Sequence, residues 1–431
     1  MNVLLVTDSF PPVCGGSGWS TYELAAGLRA RGHDVTIARV TAGGSRSDAT
    51  MEYDGLEVVH FHFYAPPVPG IRNYFKNERL YSRLAPRLEK LITERRIDIV
   101  HGQHVLSTPP SVDAARRAGI PSVATVRDYW PVCYRSDLIH TSRTLALCPG
   151  CSKAAAVHHG RPNIGAFGLA TVLVRKYLRA NLQRKQGALL AADAVIAVSS
   201  RIAADLGDRI PALSTPNVAQ PFRATPASRL HIIPNPVNTD AVRARASSVR
   251  PHAGAYALYV GKLAPNKGTD HLPHVVAAAQ LDWPLVIVGD GPDRAALERM
   301  AAASGRDFRF TGWQDAGQTA TWMAHAAMLV FPSRGPESLS RVLIEASALG
   351  LPIAAMNTGG TADIITDEVS GLLSKSADEL ATDVKRLRSD AELRRRLGEA
   401  AAAHARNTFE ASTVAARVAA LYEALLERRP R

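Results

Sequence analysis

Short apolar runs alternate along the chain with stretches in which apolar positions recur every three or four residues. Val3 to Thr7, Val35 to Val40, Leu56 to Phe63, Ile97 to His101, Pro121 to Val126 and Asp193 to Ser199 are such runs, each bounded by polar or turn residues. That pattern predicts buried strands of a parallel sheet. Between them lie helical spacings: Trp19, Tyr22, Leu24, Ala25 and Leu28, then Leu80 to Arg96, then Ser111 to Ala118. A strand, loop, helix, strand repeat is the beginning of a doubly wound α/β sheet. The pattern restarts at Tyr256, with strands expected at Pro284 to Val288, from Phe308, at Met328 to Pro332 and at Leu351 to Met356. Ser338 to Leu349 carries apolar residues at Leu339, Val342, Leu343 and Ala346 and reads as a helix closed by Gly350 and Pro352. Ala377 to Phe409 and Ala411 to Glu427 read as the last helical stretches.

A chain of 431 residues exceeds what one core usually organises. Pro, Ser and Arg between Asn238 and Pro251 suggest a linker, which divides the chain into residues 1–240, 251–405 and a terminal helix at 406–431. The apolar and charged content, 46% and 21%, is that of an ordinary soluble protein. No stretch approaches the roughly 18 to 20 apolar residues of a bilayer span, and the opening MNVLLVTDSF reads as a strand and not a signal peptide, so a cytoplasmic location is expected. The net charge of +12 is uneven: residues 1–240 carry 28 Lys and Arg against 18 Asp and Glu, residues 241–431 carry 23 against 21. No nucleic-acid-binding module accompanies the basic half, which leaves an anionic membrane surface, an anionic acceptor or plain solubility as its reasons.

Candidate chemistry collects at strand ends. Glu337 lies in the turn before a predicted helix and Glu345 eight residues on, about 12 Å along the axis at roughly 1.5 Å per residue. Helical side chains lean toward the amino end, so both acids can reach one hydroxyl-rich ligand, although Glu337 also suits a simple helix-start role. Gly15, Gly16 and Gly18 allow backbone N–H groups to approach an anion at a helix start. Lys262 and Lys267 project from a loop after a strand and suit neighbouring phosphate charges, or are solvated surface. Neither the first Gly-rich loop nor GDGP at Gly289 is a dinucleotide fingerprint. His101 and His104 sit at a strand's carboxyl end, where open α/β sheets bind ligands. Cys133, Cys148 and Cys151, with His158 and His159, would make a structural zinc shell, with free or redox-active thiols as the alternative.

The stretch PSRGPESLSRVLIEASALGLP, followed by TGG, resembles the nucleotide-sugar site of the retaining glycosyltransferases of family 4, and VGKL…NKG, VGDGP and TVRDYWPVC resemble further elements of that family. The resemblance implies the GT-B fold: two facing Rossmann-like domains, a cleft between them and a C-terminal helix crossing back. It also implies transfer of a sugar from a nucleotide-diphosphate sugar to an acceptor hydroxyl of a glycan or lipid-linked molecule, with no metal and no cofactor. On that implication Lys262, Lys267, Gly15, Gly16 and Gly289 border the donor diphosphate and nucleotide. Glu345 holds the ribose, and Glu337 with Ser338, Leu339 and Ser340 faces the sugar. The Ser-Leu-Ser turn replaces the family's small-aromatic-Gly turn. Arg127 stands where family members often hold a His, which passes the roles of that His to Asp128, to His104 or to the substrate. An epimerase of the same architecture and a binding protein without catalysis are the rival readings. Residues 167–185 form a basic amphipathic stretch, Arg175, Lys176, Arg179, Arg184 and Lys185 opposite Leu178 and Leu182, that reads either as a membrane-resting helix or as an ordinary solvated one.

Overall fold

The computed structural model describes residues 1–43, 47–68, 72, 74–134, 136–139, 168–213 and 229–428. Two compact units emerge, one built on the amino-terminal half together with the last helix, the other on Val237–Glu410.

In the first unit the strands are β1 (Asn2–Thr7), β2 (Asp34–Gly43), β3 (Ala49–Tyr53), β4 (Leu56–Tyr64), β5 (Ile99–Gly102), β6 (Ser122–Val126), β7 (Ala194–Ala197) and β8 (Leu230–Ile232). They lie in the order β3-β4-β2-β1-β5-β6-β7-β8. All neighbours are parallel except β3 and β4, which pair as a hairpin. Its helices are α1 (Gly16–Ala30), α2 (Leu80–Glu94), α3 (Thr108–Arg117), α4 (Gly168–Ala191) and α5 (Ser200–Arg209), with α13 (Ala411–Glu427) from the end of the chain. The apolar run of β1 explains how they attach. Val3 and Leu5 point to one face and pack with Leu24 and Leu28 of α1 and Val414, Val418 and Tyr422 of α13. Leu4 and Val6 point to the other and pack with Leu80, Leu84, Leu88 and Leu91 of α2. Side chains alternate across a strand, so a strand covered on both faces must be apolar throughout. Helices α1 and α13 touch closely: a Cβ on Gly27 would lie 2.7 Å from that of Ala415.

The second unit holds β9 (Ala257–Val260), β10 (Leu285–Val288), β11 (Phe308–Gly312), β12 (Met328–Phe331), β13 (Ile353–Met356) and β14 (Leu372–Ser374), all parallel, in the order β11-β10-β9-β12-β13-β14. Its helices are α6 (Thr239–Arg245), α7 (Leu272–Ala278), α8 (Arg294–Ser304), α9 (Ala316–His325), α10 (Arg341–Ala348), α11 (Ala377–Ser389) and α12 (Ala391–Phe409).

Four expectations need correction. The segment read as a linker after Asn238 begins with α6, because the Asn238 side chain accepts from the Ala241 N–H at 2.8 Å and caps it. The helix expected from Ser338 starts three residues later, at Arg341. Ala377 to Phe409 is two helices parted at Asp390, whose carboxylate caps the second through the Leu393 N–H at 2.8 Å. On α4, Lys185 is not on a basic outer face. It is buried, with its ammonium 5.4 Å from the centre of the Tyr134 ring, while Arg184 pairs with Glu78. Among the described residues no helix is long and apolar enough to cross a membrane.

Candidate active site

Each sheet has one place where the chain turns back on its own order. From β1 the chain runs outward through β2 to β4, then returns to β5 on the other flank; from β9 it runs through β10 to β11, then returns to β12. The loops leaving the carboxyl ends of such neighbours diverge and open a crevice.

In the second unit the crevice lies between the loops after β9 and β12. The Asn266 carbonyl accepts from the Arg334 and Gly335 N–H groups at 3.1 and 2.8 Å, which ties one loop to the other. Across this tie Lys267 Nζ donates to Glu337 Oε1 at 2.6 Å, and the Ser333 hydroxyl donates to the same oxygen at 2.5 Å. Glu337 is thus a partner of Lys267 and no helix cap; the cap of α10 is Ser340, facing the Leu343 N–H at 3.5 Å. Two glycines make room for the pair. Gly268, at φ +64°, would place a Cβ 2.0 Å from the Pro332 carbonyl, and Gly359, at φ +57°, would place one 1.9 Å from the Glu337 carbonyl. Neither position accepts a larger residue without moving the loop that carries the charge.

The other expected donor-side residues surround this pair less directly. Lys262 is exposed, its carbonyl accepting from the Tyr259 hydroxyl at 3.0 Å. Gly289 closes β10 at φ +140° against the Gly261 carbonyl. Ser338 is half-buried, Leu339 is buried, and the Ser340 hydroxyl is taken up in capping. Glu345 accepts from Arg341 Nε at 2.7 Å on the first turns of α10, an ion pair the sequence reading did not foresee although its i, i+4 spacing announces it.

In the first unit the groups after β1, β5 and β6 meet. Thr7 ends β1 and Asp8 follows it, Gln103 and His104 follow β5, and Arg127 and Asp128 follow β6. His104 Nδ1 lies 3.1 Å from Asp8 Oδ1 and 2.9 Å from Thr7 Oγ1. Burial holds the His104 imidazole well below its usual pKa, and the Arg127 charge adds to this. Burial also pushes Asp8 up to about 6 against the pull of backbone N–H groups, Lys76 and Arg127. Arg127 is itself buried: its Nε donates to Asn235 Oδ1 at 2.8 Å and its Nη1 to the Gln103 carbonyl at 2.9 Å. Two faces of the guanidinium are therefore occupied inside the fold, which makes it a strut between strand ends. Asp128 accepts from the Trp130 N–H at 2.8 Å and is pushed up to about 6 by burial. His101 is a packed residue, held between Tyr422 Oη at 2.5 Å and Thr125 Oγ1 at 2.6 Å. Gly15 caps α1 with backbone alone, and a Cβ there would meet nothing within 4 Å, so the first-turn amides of Gly16 and Ser17 face an approachable surface.

The cysteine cluster is not brought together by what is described. Cys133 is buried with its thiol 3.8 Å from Asp137, and Cys148, Cys151, His158 and His159 lie outside the described residues. Among the described residues no group of three or more His, Cys, Asp and Glu is arranged to hold a metal.

Known proteins share both halves of this plan. The chain is 27% identical to a glycogen synthase of Mycobacterium tuberculosis (strain CDC 1551 / Oshkosh) over 98% of this chain and 94% of that one. It is 29% identical to a D-inositol 3-phosphate glycosyltransferase of Salinispora tropica over 97% and 83%. Among solved structures, HepE of Anabaena in complex with UDP superposes with a TM-score of 0.67 at 17% identity, covering 98% of this chain and all of that one. Residues 14–241 match the model of glycosyltransferase family 4, and residues 241–404 that of the glycosyl transferases group 1. The first match alone spans more than half of the chain, and the protein belongs to glycosyltransferase family 4, with the two Rossmann-like α/β domains of the GT-B fold.

Proposed function

We propose that this glycosyltransferase is retaining and metal-independent and moves a sugar from a nucleoside diphosphate sugar to an acceptor hydroxyl. The observation that carries the reading is the Lys267–Glu337 pair at the second unit's crevice. An ammonium has three donors, and Glu337 takes one, leaving two for diphosphate oxygens; the remaining carboxylate oxygen of Glu337 is free to accept from sugar hydroxyls. Lys262 and the amides at Gly15 and Gly16 add positive potential for the diphosphate, Gly289 borders the nucleotide, and Glu345, steadied by Arg341, accepts from the ribose. Ser338 to Ser340 line the sugar through backbone groups.

The reaction is balanced as follows. The bond from the anomeric carbon to the diphosphate oxygen breaks as the bond to the acceptor oxygen forms on the same face, and the acceptor's proton goes to the departing diphosphate. Negative charge grows on that leaving group, so fixed cations act where the transition state needs them. In the first unit His104, Asp8 and Asp128 face the acceptor, and Arg127 holds their strand ends in register. The UDP bound to HepE and the names glycogen synthase and D-inositol 3-phosphate glycosyltransferase support a nucleotide donor and a sugar or polyol acceptor. We extend the reading to a glycan or lipid-linked acceptor used in the cytoplasm or at the inner face of a bacterial membrane.

A thermal-shift screen of UDP-, GDP-, ADP- and dTDP-sugars identifies the donor, since a ligand of the folded form raises its melting temperature. NMR of the product then reads the anomeric configuration, and EDTA tests metal independence. Epimerisation of a nucleotide sugar with no acceptor present, or inversion at the transferred carbon, would refute the reading.

A further inference from the structure

The loop after β1 determines where the proton sits on His104. Thr7 Oγ1 donates to the Ser9 carbonyl at 2.7 Å and accepts from the Ser9 N–H at 3.2 Å. A hydroxyl has one proton, so toward His104 Nδ1 this oxygen can only accept. An ionised Asp8 can only accept as well. Both neighbours of Nδ1 therefore require a hydrogen on it. A neutral imidazole carries a single N–H, and Nε2 is left as a bare lone pair. That atom is buried without a hydrogen-bond partner, as are the side-chain amide of Gln103 and the indole Nε1 of Trp130. A buried lone pair without a donor costs stability in the unliganded protein and is satisfied by an O–H or N–H that reaches it.

We propose that Asp8 is a positioning residue which, with Thr7, locks His104 in its Nδ1–H form so that Nε2 accepts a hydrogen bond from a hydroxyl of the acceptor sugar or polyol. This inference rests on the glycosyltransferase reading of the first unit. An anion is excluded as the partner, because a lone pair repels phosphate and carboxylate oxygens alike. The titratable groups that face Asp8 are His104, Lys76 from the π-helical turn before α2, and Arg127 and Asp128 after β6. Burial and the Arg127 charge oppose a second proton on the ring, and His104 stays neutral. Acidification protonates Asp8 first, which turns the ionised acceptor beside Nδ1 into a weaker, neutral carboxyl that can also donate.

The test uses the full chain labelled with ¹⁵N-histidine, with His104→Gln to assign the resonance. At pH 7.5 the expected ring has a proton on Nδ1 and a pyridine-like Nε2; an Nε2–H ring or an imidazolium overturns the proposal without any appeal to activity. Kinetics with UDP-glucose as donor and myo-inositol or methyl α-D-glucoside as acceptor probes supply the second arm. His104→Leu is expected to raise the acceptor KM at least about tenfold, while His104→Gln, whose amide oxygen can stand near Nε2, recovers part of it. UDP affinity by calorimetry is unmoved in both. The acidic limb of the acceptor kcat/KM profile is expected near pH 6 in the wild type and absent in Asp8→Asn. An unchanged acceptor KM in His104→Leu, or an unchanged limb in Asp8→Asn, sinks the inference and leaves the transferase reading standing. Nucleotide-sugar chemistry that ignores every acceptor sinks both.

Discussion

Both sheets reverse at the same kind of place, and at each reversal two side chains from loops far apart in sequence are joined. In the second unit the pair is Lys267 and Glu337, two full charges 2.6 Å apart with the lysine about three-tenths exposed. In the first it is His104 and Asp8, a neutral ring against one carboxylate, 3.1 Å apart and more deeply set. The backbone geometry is shared, yet on the proposed function the first pair would offer a lone pair to a hydroxyl and the second a cation to phosphate. Topology sets where each crevice opens, and the loop residues set the charge it presents.

The comparison can be broken at either end. The largest effect is expected from Asp8→Asn on stability. Burial raises this carboxyl from 3.8 to about 6, so the folded chain holds the proton more tightly than the unfolded one. The stability gained from protonation is complete below about pH 4 and is lost as the pH climbs through about 6; the Asn variant lacks this loss. Urea titrations at pH 7 should find it more stable, by up to about 3 kcal/mol, even as acceptor use suffers. A variant less stable than wild type would mark Asp8 as a structural residue. Lys267→Ala in the second unit should do the reverse of this trade, lowering kcat/KM about a hundredfold, roughly 2.7 kcal/mol of barrier, with UDP affinity falling alongside. Glu345→Ala should lower transfer about tenfold, roughly 1.4 kcal/mol, because the ribose of the proposed donor loses its acceptor; near-normal turnover in both variants with the fold intact removes the donor site from this crevice. Smallest is Ser340→Ala, which deletes the cap of α10 and should cost about 1 kcal/mol in thermal unfolding with little change in KM for the donor.

Much of this plan is written in local pattern. The runs at Val3 and Met328 are apolar because both faces of their strands are covered, and periodicity alone reveals that. The hairpin of β3 and β4 escaped notice because β3 is exposed along most of its length and lacks an apolar signal, although the Asp54-Gly55 turn between the two strands, with positive φ at both residues, is a hairpin mark. The start of α10 was misplaced because Leu339 looks helical by spacing, whereas it is buried ahead of the capping Ser340 and Glu337 stays in the loop to meet Lys267. Lys267 and Glu337 were legible one by one; their union, 70 residues apart, needed the strand order. Asp8 was not singled out at all, since its partner His104 follows a strand that becomes a neighbour only once β5 is known to lie beside β1. Lys185 shows the opposite error: its charge suggested a surface, while Tyr134 and Asp128 draw it inward and burial lowers its pKa to about 8.

The bond from Tyr422 to His101 ties α13 into the core of the first unit. The face formed by Leu24, Leu28 and Val3 is covered by Val414, Val418 and Tyr422, so it is completed only by a segment that follows the whole sequence of the second unit. Removing α13 therefore uncovers this apolar face, and the first unit depends for its core on a segment that the second unit separates from it in sequence.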